Sequence, residues 1–291
     1  MSTSTKRLVD RLMLLSVCAI ASTGCGAAAS EDETDTTTDA STEASSGDST
    51  TTQTTTDDPT TESTTGASET GADDAIRIVA LGDSLTFGTS AEFNSTALEG
   101  GYRIRLWELL SQAGHTIDFE GTLSNGPAGF DGDHQSEPGA SIEVIGQNWA
   151  TAVDSVSPHV VLLLAGTNDQ LGITADQEPE PAAEALGGLI DQILSDEPQA
   201  TVVVAKLPPL GEGFLVGADK PARIDAYNAL IPGVVEARRA AGASVVLADL
   251  SSLDAELLGD GIHPSTMDGY DTMADLWLPA VLEAIDGLEA N

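Results

Sequence analysis

The chain has only two cysteines among its 291 residues, Cys18 and Cys25, and both lie close to its start. From residue 26 onward there is therefore no disulfide, no thiol nucleophile and no cysteine-based zinc site. Aromatic residues make up only 4% of the chain, which argues against a large lipid-binding pocket. These scarcities exclude neither catalysis by an oxygen nucleophile nor a location in an oxidising compartment.

Basic residues are also scarce, with 11 Lys and Arg against 47 Asp and Glu and a formal net charge of −36. From residue 75 onward the count is 33 acidic against 8 basic residues. Such a surface repels phosphate backbones and anionic lipids, so a nucleic-acid partner is disfavoured and a neutral substrate fits better than a polyanion. A solvated acidic face adapted to a salty habitat is an equally simple explanation of the charge.

The first 24 residues are typical of an export signal. Three basic residues precede an apolar run at 12–21, which is too short to span a bilayer. The ending Ser22-Thr23-Gly24-Cys25 resembles a bacterial lipobox, which implies cleavage before Cys25 and lipidation of its thiol, although Ser22 stands where an aliphatic residue is usual. We expect a lipid-anchored protein of the bacterial cell envelope, with simple secretion as the alternative. Membrane contact is then expected only through the lipid.

The next segment, 25–74, begins with Cys25, the residue expected to be lipidated. The rest of it is dominated by Thr, Ser, Asp and Glu and contains no aromatic residue. It has too little apolar surface to offset the entropy of ordering, so it predicts a disordered tether. Residues 75–291 carry the apolar patterning of one domain of ordinary size.

Within 75–291, short apolar runs alternate with amphipathic patterns. The runs predict five strands, at 76–81, 117–119, 160–164, 201–205 and 244–248. The amphipathic patterns predict helices at 102–113, 141–153, 181–194 and 222–241, with a last one after Thr266. This alternation predicts an α/β fold, a three-layer flavodoxin-like domain with a five-stranded parallel sheet. Functional sites in such sheets form at the carboxyl ends of the strands.

The first predicted strand is followed by Gly82-Asp83-Ser84-Leu85-Thr86. Glycine permits a tight turn, and Ser84 would begin a helix whose free N–H groups stabilise negative charge. Ser84 is therefore a candidate nucleophile. Taken alone, the segment is also compatible with an ordinary helix-capping serine or, less well, with a phosphate-binding loop.

Two further polar segments follow the third and fifth predicted strands. Gly166-Thr167-Asn168-Asp169 offers an Asn amide as a hydrogen-bond donor, although by itself it is an ordinary turn. Asp260-Gly261-Ile262-His263-Pro264 places an acid three residues before a histidine, so that Asp260 can orient His263 as a base. Alone, it would read as a surface histidine beside an acid. Together, the three segments supply the nucleophile, the donor and the oriented base that acyl transfer requires.

The segments GDSLT, GTND and DGIHP resemble three conserved blocks of the SGNH, or GDSL-type, hydrolase family, in the order that the family has them. The resemblance implies that Ser84 is the nucleophile, His263 the base and Asp260 its orienting acid. It also implies an oxyanion hole made of the Ser84 N–H, the Asn168 amide and a glycine N–H from a further block.

The best candidate for that glycine is Gly139, and the region from Gly101 to Gly139 is similar to the subgroup of small carbohydrate acetylesterases, such as acetylxylan esterases. Ser136 and Ala140 depart from that subgroup, which usually has a glycine and an aromatic residue at these positions. His134 in the same segment is a possible wall of the site, although a lone loop histidine is more often structural.

The sequence calls for no cofactor and no metal, because its four histidines lack metal-ligand spacing. The expected reaction is hydrolysis of a short acyl ester, acetyl in particular, on a small molecule or polysaccharide. A lysophospholipase, thioesterase or arylesterase of the same family is an alternative, as is an inactive, surface-displayed binding module. Oligomeric state is not encoded in any pattern of the sequence.

Overall fold

The central sheet is built from the five apolar runs that predict strands. The computed structural model of the chain describes residues 75–92, 95–214 and 216–289, so the predictions for 1–74 lie outside the described residues. All five predicted strands are present, and the shorter β3 and β4 join them, giving β1 Ile76–Gly82, β2 Ile117–Glu120, β3 Leu123–Ser124, β4 Asp133–Ser136, β5 Val160–Leu164, β6 Thr201–Lys206 and β7 Val245–Asp249. Every side chain of β5 is buried, as expected for the centre of a parallel sheet.

The strand order is β3-β4-β1-β5-β6-β7, with β2 also paired to β1. Among the strand pairs of the described residues, only β3–β4 is antiparallel. β2 pairs with the first half of β1, from Ile76 to Val79, and β4 pairs with its last two residues, Leu81 and Gly82. β2 and β4 therefore occupy the same flank of β1 in succession.

This succession corrects the predicted strand count. The five predicted strands lie in the order β2-β1-β5-β6-β7, which is the flavodoxin-like arrangement, and the fold class is confirmed. The sheet has seven strands rather than five because it also contains β4, which pairs with β1, and β3, which pairs with β4. β4 reads Asp-His-Gln-Ser, which has no apolar run to mark it as a strand.

Helices cover both faces of the sheet, with the bounds α1 Ser84–Phe87, α2 Tyr102–Gln112, α3 Ile142–Ala152, α4 Thr167–Leu171, α5 Pro179–Asp196, α6 Lys220–Ala240 and α7 Met267–Glu289. α2 packs against α7 on one face, while α5 packs against α3 and α6 on the other. Helix starts carry the expected signals, such as the Ser141 side chain that caps α3 and the proline in the first turn of α5. Within the described residues, no helix has the length and apolar character needed to cross a membrane.

Gly121 lies where β2 ends and β4 takes over beside β1. A Cβ at this position would lie 2.2 Å from the carbonyl oxygen of His134 and 2.7 Å from its backbone nitrogen. The chain therefore needs a residue without a side chain to let β4 pass so closely.

We expect Gly121→Ala to lower the free energy of unfolding by about 1–3 kcal/mol or more, because backbone atoms cannot yield as a flexible side chain does. Gly188→Ala is the matched control, since Gly188 is an exposed position of α5 and an added Cβ meets nothing within 4 Å. That variant should be slightly more stable than the parent because alanine favours the helix. Urea denaturation of both variants measures the difference, and equal stabilities would contradict this account of the β2–β4 junction.

Candidate active site

Ser84 is held at the carboxyl end of β1 by a tight strand-to-helix turn. A Cβ on Gly82 would lie 2.3 Å from the Thr86 hydroxyl and 2.8 Å from the Leu164 carbonyl oxygen, so only glycine fits. The next residue, Asp83, caps α1 by accepting a hydrogen bond from the Leu85 N–H at 3.0 Å. Ser84 is then the first helical residue, with its side chain nearly buried. The turn thus fixes both the position and the direction of the hydroxyl.

Ser84, His263 and Asp260 form one continuous hydrogen-bonded chain. The Ser84 Oγ lies 2.8 Å from His263 Nε2, and His263 Nδ1 lies 2.7 Å from Asp260 Oδ2. The other carboxylate oxygen of Asp260 accepts from the backbone N–H groups of Ile262, at 2.9 Å, and of His263, at 2.7 Å. The three-residue spacing seen in the sequence is therefore a turn in which the acid holds both the backbone and the ring of its histidine.

The protonation of Asp260 follows from these contacts. Burial by itself raises the pKa of the Asp260 carboxyl, but the hydrogen bonds from His263 and Ile262, together with the charge of the imidazolium, lower it below its ordinary value. An ionised Asp260 keeps the proton of the histidine on Nδ1, which leaves Nε2 as the acceptor that faces Ser84. The arrangement can remove a proton from the serine hydroxyl.

Asn168 enters from the neighbouring strand. β5 pairs with β1, and Gly166, with φ of 119°, turns the chain into the short helix α4 that carries Asn168. The Asn168 Nδ2 donates to the Ala140 carbonyl at 2.9 Å and lies 3.3 Å from Asp83 Oδ2. The amide therefore bridges the residue before Ser84 and the residue after Gly139.

The backbone N–H groups of Ser84 and Gly139 point to a further feature of this region. Within the described parts of the chain, no oxygen accepts a hydrogen bond from the N–H of Ser84 or of Gly139. Gly139 adopts a left-handed φ of 84°, and its own carbonyl accepts from the Thr174 hydroxyl at 2.7 Å. These two donors and the Asn168 amide are the groups named from the sequence for an oxyanion hole.

The structure thus brings together all five side chains or N–H groups expected from the sequence, at Ser84, Gly139, Asn168, Asp260 and His263. His134 is different, because it is buried and forms part of the core. Its Nδ1 accepts from the Ser136 N–H at 3.1 Å, its ring meets the edge of Phe87, and burial lowers its pKa to about 3. His134 is therefore a neutral structural residue and not a wall of the site.

The sequence profile of the GDSL-like lipase/acylhydrolase family matches residues 80–271. The chain belongs to this family. The match contains the segments of Ser84, Gly139, Asn168, Asp260 and His263 and covers well over half of the chain.

Relatives of the GDSL-like hydrolase agree with that assignment. A multidomain esterase of Ruminococcus flavefaciens is 30% identical over 74% of this chain, and the chain spans only 30% of that protein's length. A family 3 carbohydrate esterase of Clostridium thermocellum is 34% identical, with a TM-score of 0.61 that covers 74% of this chain and 98% of the solved one. An acetyl esterase solved with an acetate ion is 26% identical, with a TM-score of 0.61 over 73% of this chain and 99% of the other.

The chain is thus a member of a family of lipases and acylhydrolases, and its relatives include proteins named as esterases. An inactive binding module, one of the alternatives left by the sequence, does not agree with these relatives. Within the described residues, no three His, Cys, Asp or Glu side chains cluster in a way that would hold a metal ion.

Asp83 is a site residue that sequence reasoning passed over. Its carboxyl is fully buried, which raises its pKa to about 6, although the Leu85 N–H and the charge of His263 work in the opposite direction. The site of the GDSL-like hydrolase therefore contains a second buried carboxyl beside Asp260, in contact with Asn168. The signal in the sequence was an acid at the capping position before a helix.

Arg103 is a second residue that the sequence did not single out. It is fully buried on α2 and donates to the carbonyls of Thr86, at 3.2 Å, and Gly132, at 2.8 Å, and to the side chain of Asn125. Burial lowers its pKa to about 10, which still leaves it charged at neutral pH. Arg103 ties the turn that carries Ser84 to the segment leading into β4.

The buried Asp83 predicts a pH-dependent stability difference. Its folded pKa of about 6 exceeds the ordinary value of 3.8, so its contribution favours the folded state at low pH and is lost as the pH rises through about 6. The full change corresponds to about 3 kcal/mol. We expect the melting temperature of Asp83→Asn relative to the parent to rise between pH 4 and pH 7.

Because both proteins share every other titrating group, the difference between their melting curves isolates position 83. A difference that stays constant over this range would show that burial does not raise the pKa of the Asp83 carboxyl. Asp254→Asn is a control, since Asp254 caps a short exposed turn by accepting from the Glu256 N–H in the same way.

Proposed function

We propose that this GDSL-like hydrolase is a serine esterase that removes short acyl groups, acetyl in particular, from carbohydrate. The observation that carries the catalytic part is the hydrogen-bonded chain from Ser84 through His263 to Asp260, beside N–H groups of Ser84 and Gly139 that have no acceptor within the described residues. A nucleophile, an oriented base and vacant donors are the three components of acyl transfer.

In the first half of the reaction, His263 Nε2 takes the proton of the Ser84 hydroxyl as its oxygen attacks the ester carbonyl carbon. The carbonyl oxygen gains negative charge and accepts hydrogen bonds from the Ser84 and Gly139 N–H groups and from the Asn168 amide. The bond to the leaving alcohol then breaks, and His263 returns the proton to the alcohol oxygen. The product is an acyl ester of Ser84.

In the second half, His263 takes a proton from water, whose oxygen attacks the acyl carbon of the Ser84 ester. The same donors bind the oxyanion, the bond to the Ser84 Oγ breaks, and the proton passes from His263 back to the serine. The carboxylic acid leaves and the enzyme returns to its starting state. Asp260 keeps its charge throughout and stabilises the imidazolium that forms in each half.

The carbohydrate acetyl ester is supported by the solved relatives, one a carbohydrate esterase and one an acetyl esterase with an acetate ion. The composition agrees, because a chain with 4% aromatic residues is poorly equipped to line a long lipid pocket. The acidic surface favours a neutral polysaccharide over an anionic one.

The direct test is hydrolysis of nitrophenyl acetate and of acetylated xylan by the full chain. We expect the parent to act on both, and Ser84→Ala to lose at least about a thousandfold in kcat without a change in melting temperature. Asn168→Ala should lose about a hundredfold or more, because one oxyanion donor is removed. Ser111→Ala, an exposed serine on α2, is the control and should retain full activity.

The outcomes separate the mechanism from the substrate. A folded Ser84→Ala variant that kept clearly more than about a thousandth of the parent's kcat would refute the nucleophile, and full turnover in Asn168→Ala would remove the amide from the oxyanion hole. Activity on the small ester alone would keep the mechanism and discard the carbohydrate. A preference for longer nitrophenyl esters would then favour the lysophospholipase alternative, and a preference for thioesters the thioesterase.

For location, we propose that the chain is exported and anchored through a lipid on Cys25, followed by a tether up to residue 74. The support is the charged and apolar pattern of 1–24 and the small residues before Cys25. We expect the full chain expressed in a bacterium to incorporate radiolabelled palmitate and to sediment with membranes. Cys25→Ala should abolish both, whereas Cys18→Ala should change neither; an unlabelled parent would favour simple secretion.

A further inference from the structure

Gly139, proposed above as an oxyanion donor, lies in a tight turn formed by residues 137–140. The Ala140 N–H donates to the Glu137 carbonyl at 3.1 Å, and Pro138 and Gly139 occupy the two middle positions. The positive φ of Gly139, 84°, is what a type II turn requires at its third residue. Because glycine has little conformational preference of its own, the direction of its N–H depends on the contacts that hold the turn.

The first and last residues of this turn are anchored to the segments that carry the nucleophile and the amide donor. The Glu137 N–H donates to the Gly82 carbonyl at the end of β1, at 3.1 Å. The Asn168 side chain donates to the Ala140 carbonyl at 2.9 Å. These two contacts fix the ends of the turn, whereas the donor itself lies between them.

A third contact is made by Gly139 itself. The Thr174 hydroxyl donates to the Gly139 carbonyl at 2.7 Å. Thr174 lies on the loop 172–178, which joins α4 to α5 and follows the Asn168 segment directly. The carbonyl and the N–H of Gly139 are separated only by the two backbone angles of one residue, so a group that holds the carbonyl also limits the direction of the N–H.

The loop that carries this hydroxyl is held at both of its ends. At its start, the Ile173 N–H donates to the Asn168 carbonyl at 3.3 Å. Towards its end, the largely buried Arg223 of α6 donates to the Asp176 carboxylate at 2.7 Å and to the Gln177 carbonyl. The hydroxyl is therefore presented by an anchored segment, although its side chain is exposed.

We propose that Thr174 is a positioning residue of the esterase, which holds the Gly139 N–H in the direction that the oxyanion hole requires. The inference rests on the function proposed above and on Gly139 as one of its donors. Thr174 takes no part in proton transfer or in bond making. It contributes because oxyanion donors act by being oriented before the negative charge develops.

The test is the Thr174→Val variant of the full chain, which keeps the shape of the side chain and removes its hydroxyl. We expect kcat for nitrophenyl acetate to fall about five- to tenfold, because one hydrogen bond that supports the donor is lost. KM should stay within about twofold of the parent's value, since the oxyanion exists only after the attack on the ester. The melting temperature should not change, because Thr174 is exposed.

Two further variants and a pH profile separate positioning from general damage. Thr174→Ser keeps the hydroxyl and should restore kcat to nearly that of the parent. Thr151→Val is the matched control, since Thr151 is an exposed residue of α3 whose hydroxyl donates to the Asn148 carbonyl at 2.8 Å, and it should change neither kcat nor KM. The pH at which kcat/KM is half-maximal should be the same in Thr174→Val as in the parent, because the substitution leaves Asp260 and His263 in place.

An unchanged kcat in Thr174→Val, with an active parent, would overturn the positioning role and leave the proposed esterase intact. An equal loss in Thr174→Ser would also overturn it, since the hydroxyl would then not be the group that matters. A loss accompanied by a lower melting temperature or a shifted pH profile would mark disruption of the fold or of the triad and would likewise count against it. A parent inert towards nitrophenyl acetate would overturn the proposed function, and the role of Thr174 with it.

Discussion

The pairing of β1 with β5 is the constraint on which the site depends. Parallel hydrogen bonding sets Gly82 opposite Leu164, so the two chains leave the sheet side by side. Ser84 lies two residues after Gly82, and Asn168 lies four residues after Leu164. Their segments therefore meet, and the Asn168 amide contacts the carboxylate of Asp83. Because the order of strands reverses at β1, the crevice opens there, as it does in other open sheets of this type.

Burial of charge around that crevice is tolerated because backbone groups compensate for lost water. Arg103 donates to carbonyl oxygens, and Asp260 accepts from two N–H groups in addition to the histidine. Asp83 has fewer such partners, so burial raises its pKa above the ordinary value. The site therefore contains two carboxyls with opposite tendencies: Asp260 is held ionised, while burial favours the protonated form of Asp83.

Much of the architecture was predictable because the central strands are apolar on both faces. β5 was predicted with its observed bounds, and β1 and β6 to within a residue, since five or six buried residues in a row leave little choice. The segments around Ser84, Asn168 and His263 are recognisable for a related reason: each stands directly at a strand's carboxyl end or on a turn fixed by glycine and proline. Gly139 has no such mark, because it follows the polar strand β4, and it is linked to Asn168 only through the carbonyl of its neighbour Ala140.

Other features depend on partners that are distant in sequence. β4 is a strand because β1 and β3 offer it hydrogen bonds, although its own residues are polar. Gly211 and Gly213 belong to a segment that looks like a simple connection in the sequence, and their contact with the turn of Asp260 and Gly261 comes from backbone packing. Local propensity carries no information about such contacts.

The sharing of one flank of β1 between β2 and β4 divides that strand into two functional halves. β2 supports the first half, which begins with two partly exposed residues, whereas β4 supports the buried end that leads to Ser84, where the Glu137 N–H also donates to the Gly82 carbonyl. We therefore expect substitutions in β2 to act mainly on folding, and those around β4 to act mainly on the turn that carries Ser84. Selection can therefore adjust robustness and catalysis along the same edge of the sheet almost independently.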